Sequence, residues 1–430
     1  MIMAIHNTLV QFGWKTLSRH KKLAYLIGSL FSSLVYFLSL PSYYFRIRKY
    51  YLKTKWHPRA SGVNITGYFT MESGTGESAR SLVRILQKTT VPFSLHNIEN
   101  PLIASNNNSY RDFFLQRNPY DINIIDINAN EIPAVIRTMP PNWIDGKYNI
   151  GYWVWELENF PKKWSPSFAC FDEIWSPSAF SARSIQQRTA LPVIIMPHAI
   201  NIEHINASYS RKNFGLNDNN VIFLFIFSLQ SAFERKNPLA VISAFRKAFF
   251  GMSNHNACLV LKISGAAQHR WAYDEIRRMS KGLPIIILNT PLDISTVYRL
   301  MELTDCYVSL HRSEGFGLTI AESMFLGKPC IATAYSGNME FMNETNSFPV
   351  NYTLKRIESS IGPYTKGEYW AEPDTEHAAD LMRFIYEHSE KGAEIGAVGA
   401  RYIRDHMSPQ ALSSRFEQRL KEIRLTFASN

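Results

Sequence analysis

Glu314 and Glu322 stand eight positions apart in the run HRSEGFGLTIAESMFLGKP, residues 311–329, with Gly315 and Gly317 between them and Gly327 and Pro329 closing it. Ionised carboxylates only accept hydrogen bonds, so they suit hydroxyls and repel phosphate. Glycines let backbone approach a ligand without a Cβ, and the N–H groups that open a helix favour an anion such as a diphosphate. The spacing predicts a turn at Gly315–Gly317 and a helix over 318–326, capped by Gly327. Glu322 then lies about one turn into the helix and Glu314 stays on the loop. Two hydroxyl-binding groups around an anion-binding turn suit a ligand with a sugar at each end and a diphosphate between, which is the constitution of a nucleotide sugar. Arg235 and Lys236, in SAFERKNP, supply the missing charge. Placed on the loop after an apolar strand, they are positioned to neutralise a departing diphosphate.

These side chains need a scaffold that gathers strand-to-helix loops. From residue 62 the chain alternates strand-like and helix-like runs: GVNITGYF (62–69), a glycine turn passing into a helix, VPFSLHNI, INIIDIN, YNIGYWVW (148–155), EIWSPS and PVIIMPH. A polar passage over 201–220 reads as a linker with a short helical piece. VIFLFIFSL (221–229) is almost continuously apolar, as a strand buried on both faces should be. Helices at 238–250, 272–281 and near 294–303 alternate with the strands ACLVLKIS, PIIILN, CYVSLH and PCIATA, and closing helices are expected at about 376–388 and 408–425. The expected fold class is α/β, with two Rossmann-like doubly wound parallel-sheet domains facing across a cleft. Expected boundaries are 62–205 and 206–407, followed by a closing helical segment over 408–430.

Residues 1–61 differ in character. They hold ten Lys or Arg and no Asp or Glu, and without them the remaining 36 basic residues balance 36 acidic ones, so the net charge of +10 resides in this segment. Leu23 to Phe45 carries no charge and is bracketed by Arg19, Lys21 and Lys22 and by Arg46, Arg48 and Lys49. Apolar and basic together, the segment predicts a membrane-associating helical extension that lies on or re-enters an anionic surface in preference to spanning it. Nucleic acid is not expected as a partner. Cys170, Cys258, Cys306 and Cys330 show no C-x-x-C spacing and read as reduced core residues of a cytoplasmic protein. No metal cluster is visible in the sequence. G-x-G at Gly74 and Gly76 follows a strand, but no acidic ribose ligand stands at a clear second strand end about 20 residues on, which disfavours a dinucleotide oxidoreductase.

EGFGLTIAE followed by GKPCIAT, together with FERKNPLAVISAF, is similar to the E-x7-E signature and basic loop of retaining glycosyltransferase family 4, whose fold is GT-B; the resemblance spans roughly residues 62–425. It implies that Glu314 stands near the transferred sugar and Glu322 holds the ribose hydroxyls. It further implies that Arg235 and Lys236 contact the diphosphate, that backbone around Gly315, Phe316, Gly317, Leu318 and Thr319 faces the donor, and that the last helix, 408–430, crosses back to the first domain. SGTGES (73–78) resembles the family's glycine-rich loop, which puts Gly74 and Gly76 against the diphosphate. The implied function is retaining, metal-independent transfer of a sugar from a nucleotide-diphosphate sugar to a glycan or lipid-linked glycan, in bacterial surface polysaccharide biosynthesis, on the cytoplasmic face of the plasma membrane. No separate cofactor is implied.

Two departures bear on that expectation. Many members carry a histidine near the reacting sugar where this chain has NIGYWVWELENFP, so Glu156 is the candidate for that polar contact. Trp153 and Trp155 there either stack on a sugar face or fill a core strand. The basic loop also lacks an earlier arginine, with Gln230 and Ser231 near its place. His311, and Ser336, Gly337 and Asn338 after the next strand, either line the cleft or are ordinary loop residues. The alternative reading is a non-catalytic scaffold of this fold in a membrane polysaccharide-assembly complex.

Overall fold

The structure, a computed structural model, describes residues 60–99, 107–115, 117–140, 143–252 and 255–428. The expected basic extension lies outside the described residues, apart from Ala60 and Ser61, which open the first strand. Among the described residues no helix is long and apolar enough to cross a membrane. Residues 60–132 and 147–428 belong to one compact unit. The segment 133–146 belongs to another, and its described part includes most of the short helix Ile132–Thr138.

Two parallel sheets carry the main unit. The first runs β2-β1-β3-β4-β5-β6, with β1 at Ala60–Gly67, β2 at Phe93–Asn97, β3 at Tyr120–Ile125, β4 at Tyr148–Tyr152, β5 at Glu173–Ser176 and β6 at Val193–Ile195. The second runs β12-β11-β10-β7-β8-β9, with β7 at Val221–Ser228, β8 at Ala257–Ser264, β9 at Ile285–Leu288, β10 at Cys306–Ser309, β11 at Cys330–Thr333 and β12 at Phe348–Val350. In each sheet the chain adds strands on one side of its first strand, then reverses to the other. The reversals fall between β1 and β3 and between β7 and β10, and loops beyond the carboxyl ends of strands at such points form ligand crevices.

Burial follows the sequence pattern. Phe223, Leu224 and Phe225 of β7 pack with Val260 and Leu261 of β8 and with Val241, Phe245 and Phe249 of the helix Pro238–Phe249. In the first sheet, Val63, Ile65, Ile122 and Ile124 meet Leu82, Ile85 and Leu86 of the helix Gly74–Leu86. A polar rung crosses four strands of that sheet. Ser94 Oγ donates to Asn64 Oδ1 at 3.0 Å, Asn64 Nδ2 to Asn123 Oδ1 at 2.9 Å, and Asn123 Nδ2 to Asn149 Oδ1 at 2.7 Å. Each pair is also a register pair of adjacent strands. Slipping any strand by one residue would strand these amides in the core, so the rung specifies register. All four cysteines are buried.

Three elements differ from the expectation. Arg235 and Lys236 sit in a one-turn helix, Phe233–Lys236, rather than on open loop. Asn237 in the left-handed region (φ +53°) ends that turn, and Pro238 starts the next helix. Residues 389–407, rich in glycine, form a full helix, Ser389–Met407. Close packing explains its glycines: a Cβ on Gly396 would fall 2.3 Å from Gly327 O, and one on Gly399 2.7 Å from Asn346 O. Beyond β12 the chain makes an antiparallel hairpin, β13 (Tyr352–Arg356) with β14 (Tyr369–Pro373), outside both sheets.

The last helix, Pro409–Ala428, lies against the first sheet. Leu412, Phe416, Leu420 and Ile423 enter that sheet's core, and Phe416 meets the Trp175 ring edge-on at 5.1 Å. Arg419 Nε donates to Glu173 Oε1 at 3.0 Å, and Arg424 grips Asp121 at 2.8 and 3.1 Å.

Candidate active site

The loops after β7 and β10 flank the reversal of the second sheet, and both meet loops of the first. Arg235 is buried, and its Nη1 reaches the Ser313 carbonyl at 2.7 Å and Glu314 Oε2 at 3.1 Å. Lys236 Nζ lies 2.5 Å from Glu314 Oε1. Glu156, on the loop after β4, brings Oε1 to 3.9 Å from Arg235 Nη2. Four of the residues singled out by their chemistry therefore form one cluster, two carboxylates around two cations. The one-turn helix is tied down on its other side, where Arg312 donates to the Glu234 carbonyl at 2.6 Å and holds Glu372 at 2.9 and 3.0 Å.

Electrostatics follow from this geometry. Burial pushes the Glu314 carboxyl up, but Lys236 and then Arg235 outweigh it and hold it at about 2. Burial pushes Glu156 up despite Arg235. Lys236 is lowered by burial, with Glu314 opposing. Glu314 is thus the firmly ionised member of the cluster and Glu156 the one closer to taking a proton.

The glycine turn fits between two protein walls. Gly317 has φ +96° and is the N-cap of the helix Leu318–Phe325. A Cβ on Gly315 would fall 2.0 Å from Val154 Cγ1, and one on Gly337 2.2 Å from Gly315 O. Ser178 Oγ donates to Gly315 O at 2.6 Å, Ser313 Oγ donates to Glu156 O, and Ser336 Oγ accepts from Glu314 N–H at 2.8 Å. Phe316 is buried edge-on against His198 at 4.9 Å. The Thr319 hydroxyl is held by Tyr307 at 2.7 Å. Among the described residues the Phe316 and Gly317 N–H groups have no protein acceptor.

Glu322 lies in a separate environment. It is 7% exposed and accepts from Tyr298 Oη at 3.2 Å. Burial, and then the nearby Glu77 charge, push its carboxyl to about 8. Glu77 belongs to the helix Gly74–Leu86, where it is paired with Arg80 at 3.0 Å and with Arg84. Gly74 opens that helix beside Leu318, whose Cδ1 is 3.9 Å from where a Cβ would sit. Gly76 has a packing duty: a Cβ there would strike Met71 O at 2.1 Å.

Trp153 and Trp155 fill the core. Trp153 packs with Phe160, Phe168 and Phe171, and Trp155 lies against Trp164 and Tyr364. His311 is fully buried, and burial lowers its imidazole to about 4. Ser336 contacts the site through Glu314, and Asn338 Nδ2 holds the Thr333 carbonyl at 2.9 Å. Tyr298, Tyr364 and Glu77 were not anticipated, since nothing in their local sequence marks them.

Residues 210–353 match the family described as Glycosyl transferases group 1, a segment that contains Arg235, Lys236, Glu314 and Glu322 but not Glu156, Gly74 or Gly76. Solved structures extend the likeness over most of the chain. HepE from Anabaena in complex with UDP and glucose aligns with a TM-score of 0.59 at 15% identity, over 84% of this chain and 100% of that one. A glycosyltransferase from Rickettsia africae gives 0.61 at 14%, over 85% and 99%. Sucrose-phosphate synthase from Thermosynechococcus elongatus gives 0.60 at 13%, over 86% and 100%.

The fold is GT-B.

No curated protein matches the chain. In this GT-B chain the second domain contributes Arg235, Lys236, Glu314 and Glu322, and the first contributes Glu156, Val154 and Ser178 to the walls around them. The loops that meet are those at the carboxyl ends of β4 and β5 on one side and of β7, β10 and β11 on the other.

Proposed function

We propose that the protein is a retaining glycosyltransferase that moves a sugar from a nucleotide-diphosphate sugar to a glycan or lipid-linked glycan, in the assembly of a bacterial surface polysaccharide. The observation that carries this reading is the cluster at the reversal of the second sheet, where Glu314 bridges Arg235 and Lys236 at 3.1 and 2.5 Å. A diphosphate competes with the Glu314 carboxylate for these cations, and once it has them, Glu314 is free to accept from a hydroxyl of the donor sugar. As the glycosidic bond breaks, negative charge grows on the leaving diphosphate. Arg235, Lys236 and the N–H groups at Gly317 and the helix start stabilise that charge once the diphosphate has replaced Glu314 between the two cations. These fixed cations take the place of a metal ion in the reading. Retention is assigned to attack on the face the diphosphate leaves, in keeping with the retaining family that the motifs around Glu314 and Arg235 resemble.

Glu322 is assigned to the ribose hydroxyls, with Tyr298 holding it in place. The complex of HepE with UDP and glucose makes uridine the first base to try. The basic apolar segment 1–61 is assigned to an anionic membrane surface at the cytoplasmic face, where a lipid-linked acceptor would be met. The test is thermal stabilisation of the full chain by UDP, GDP, ADP and their glucose conjugates, followed by nucleotide release in the presence of membrane extract as acceptor. Stabilisation by one nucleotide with release on adding acceptor supports the reading. Stabilisation without release points to a binding scaffold, and no stabilisation by any overturns the assignment.

A further inference from the structure

We propose that Tyr364, carried by the connection between β13 and β14, is a positioning residue of the donor site, its ring holding the Arg235 guanidinium in place for the diphosphate. This rests on the reading of Arg235 as a diphosphate ligand. Ile361 and Tyr364 exchange backbone hydrogen bonds at 2.9 and 3.0 Å, a tight turn that delivers the tyrosine inward, where it is 4% exposed. Arg235 Cζ stands 5.9 Å from the Tyr364 ring centroid. Trp155 packs against the same ring, with centroids 5.5 Å apart and planes within 23°. The three groups link the first domain, the hairpin and the second domain. The hairpin repeats the device with Trp370, whose ring lies 5.4 Å from the guanidinium carbon of Arg312.

Arg235 needs such a support. Its Nη1 is engaged with Ser313 and Glu314, while its Nε is buried with no acceptor among the described residues. When a diphosphate displaces Glu314, the strongest partner fixing the guanidinium is lost at the moment its orientation matters. A π face supplies attraction without an acceptor atom, so it steadies the cation without competing for its N–H groups. Neither sheet positions Tyr364, so the inserted hairpin has a role at the site.

The test measures binding of UDP, GDP and ADP to the full chain by calorimetry, and then of the monophosphate of whichever base binds. Tyr364→Leu is expected to weaken the diphosphate about tenfold and the monophosphate less, while Tyr364→Phe, which keeps the ring, stays within about twofold of wild type. In an Arg235→Met background, Tyr364→Leu should have no further effect on diphosphate affinity, because the two residues act as one unit. Should Tyr364→Leu fail to fold, Tyr364→Met takes its place in the same cycle. An unchanged affinity in Tyr364→Leu, an equal loss in Tyr364→Phe, or a full loss that persists in the Arg235→Met background overturns the proposal while leaving the donor site assignment standing. A wild-type chain that binds none of the three diphosphates removes both.

Discussion

Lys236 Nζ lies 2.5 Å from Glu314 Oε1, so the one-turn helix after β7 is bonded to the loop that opens the helix Leu318–Phe325. With Arg235 on the other oxygen, a single carboxylate closes the reversal point of the second sheet. The charges proposed to bind a diphosphate also tie these two loops together.

Glu314→Gln keeps the shape but leaves two cations without their carboxylate. Breaking a buried pair in this way costs about 3–5 kcal/mol, and transfer should fall at least about 100-fold, the scale seen when one group of a preorganised electrostatic site is lost. The folded-state carboxyl sits at about 2, below its unfolded value. Its contribution to stability is therefore complete above about pH 4.5 and disappears as pH falls toward 2. Thermal melts from pH 2 to 6 should show a steeper acid loss in wild type than in Glu314→Gln.

Glu322 has the opposite sign. Its carboxyl is raised to about 8, so the folded state holds a proton that the unfolded chain releases near pH 4.5. Stability attributable to this group declines between about pH 4.5 and 8 and is flat above that range. Glu322→Gln should melt higher than wild type at pH 8, with the gap shrinking toward pH 5, and should bind UDP at least about tenfold more weakly if the ribose contact is made. A pH-independent gap in melting temperature would contradict the assignment of the shift to this carboxyl.

Gly315→Ala places a methyl 2.0 Å from Val154 Cγ1. Overpacking of this kind costs about 1–3 kcal/mol, and it falls on the contact between the turn and the first domain. Val154→Ala removes the offending branch and should recover most of the melting temperature and donor affinity in the double variant. Gly337→Ala meets backbone, at 2.2 Å from Gly315 O, so no side-chain substitution should rescue it.

Arg419→Met leaves Glu173, which is fully buried, without its guanidinium partner. Tyr148 Oη still donates to it at 2.9 Å, so the loss should fall at or below the low end for a broken buried pair, about 3 kcal/mol. Denaturant unfolding of the full chain reads this directly. An effect under about 0.5 kcal/mol would mean that the apolar face of the last helix and the Arg424–Asp121 pair hold it to the first sheet without help from Arg419.

Much of the architecture was legible. Strands buried on both faces read as apolar runs, and β7 and β8 were evident on that basis. Gly327, at φ +77° just past its helix, and Gly317, at φ +96° before it, behave as their positions predict. The helix Ser389–Met407 was missed because Gly392, Gly396 and Gly399 lower helix propensity, and the reason for Gly396 and Gly399 lies in backbone they approach elsewhere in the chain. The hairpin of β13 and β14 was missed because β13, exposed along its whole length and of mixed polarity, carries little periodic signal.

By itself, the sequence determined which chemistry could be brought together: carboxylates around a glycine turn, a pair of cations after a buried strand, and alternating elements that place both at one edge of a sheet. Those features are encoded within a few residues, where hydrogen-bonding capacity, side-chain period and backbone freedom act. Only the tertiary structure decided the partners. Glu314 with Lys236, Glu322 with Tyr298, and Arg235 with Tyr364 and Trp155 are pairings made by the order of strands and by one inserted hairpin. The charge state of each carboxyl follows from those pairings, because burial and the nearest charge are properties of the folded neighbourhood.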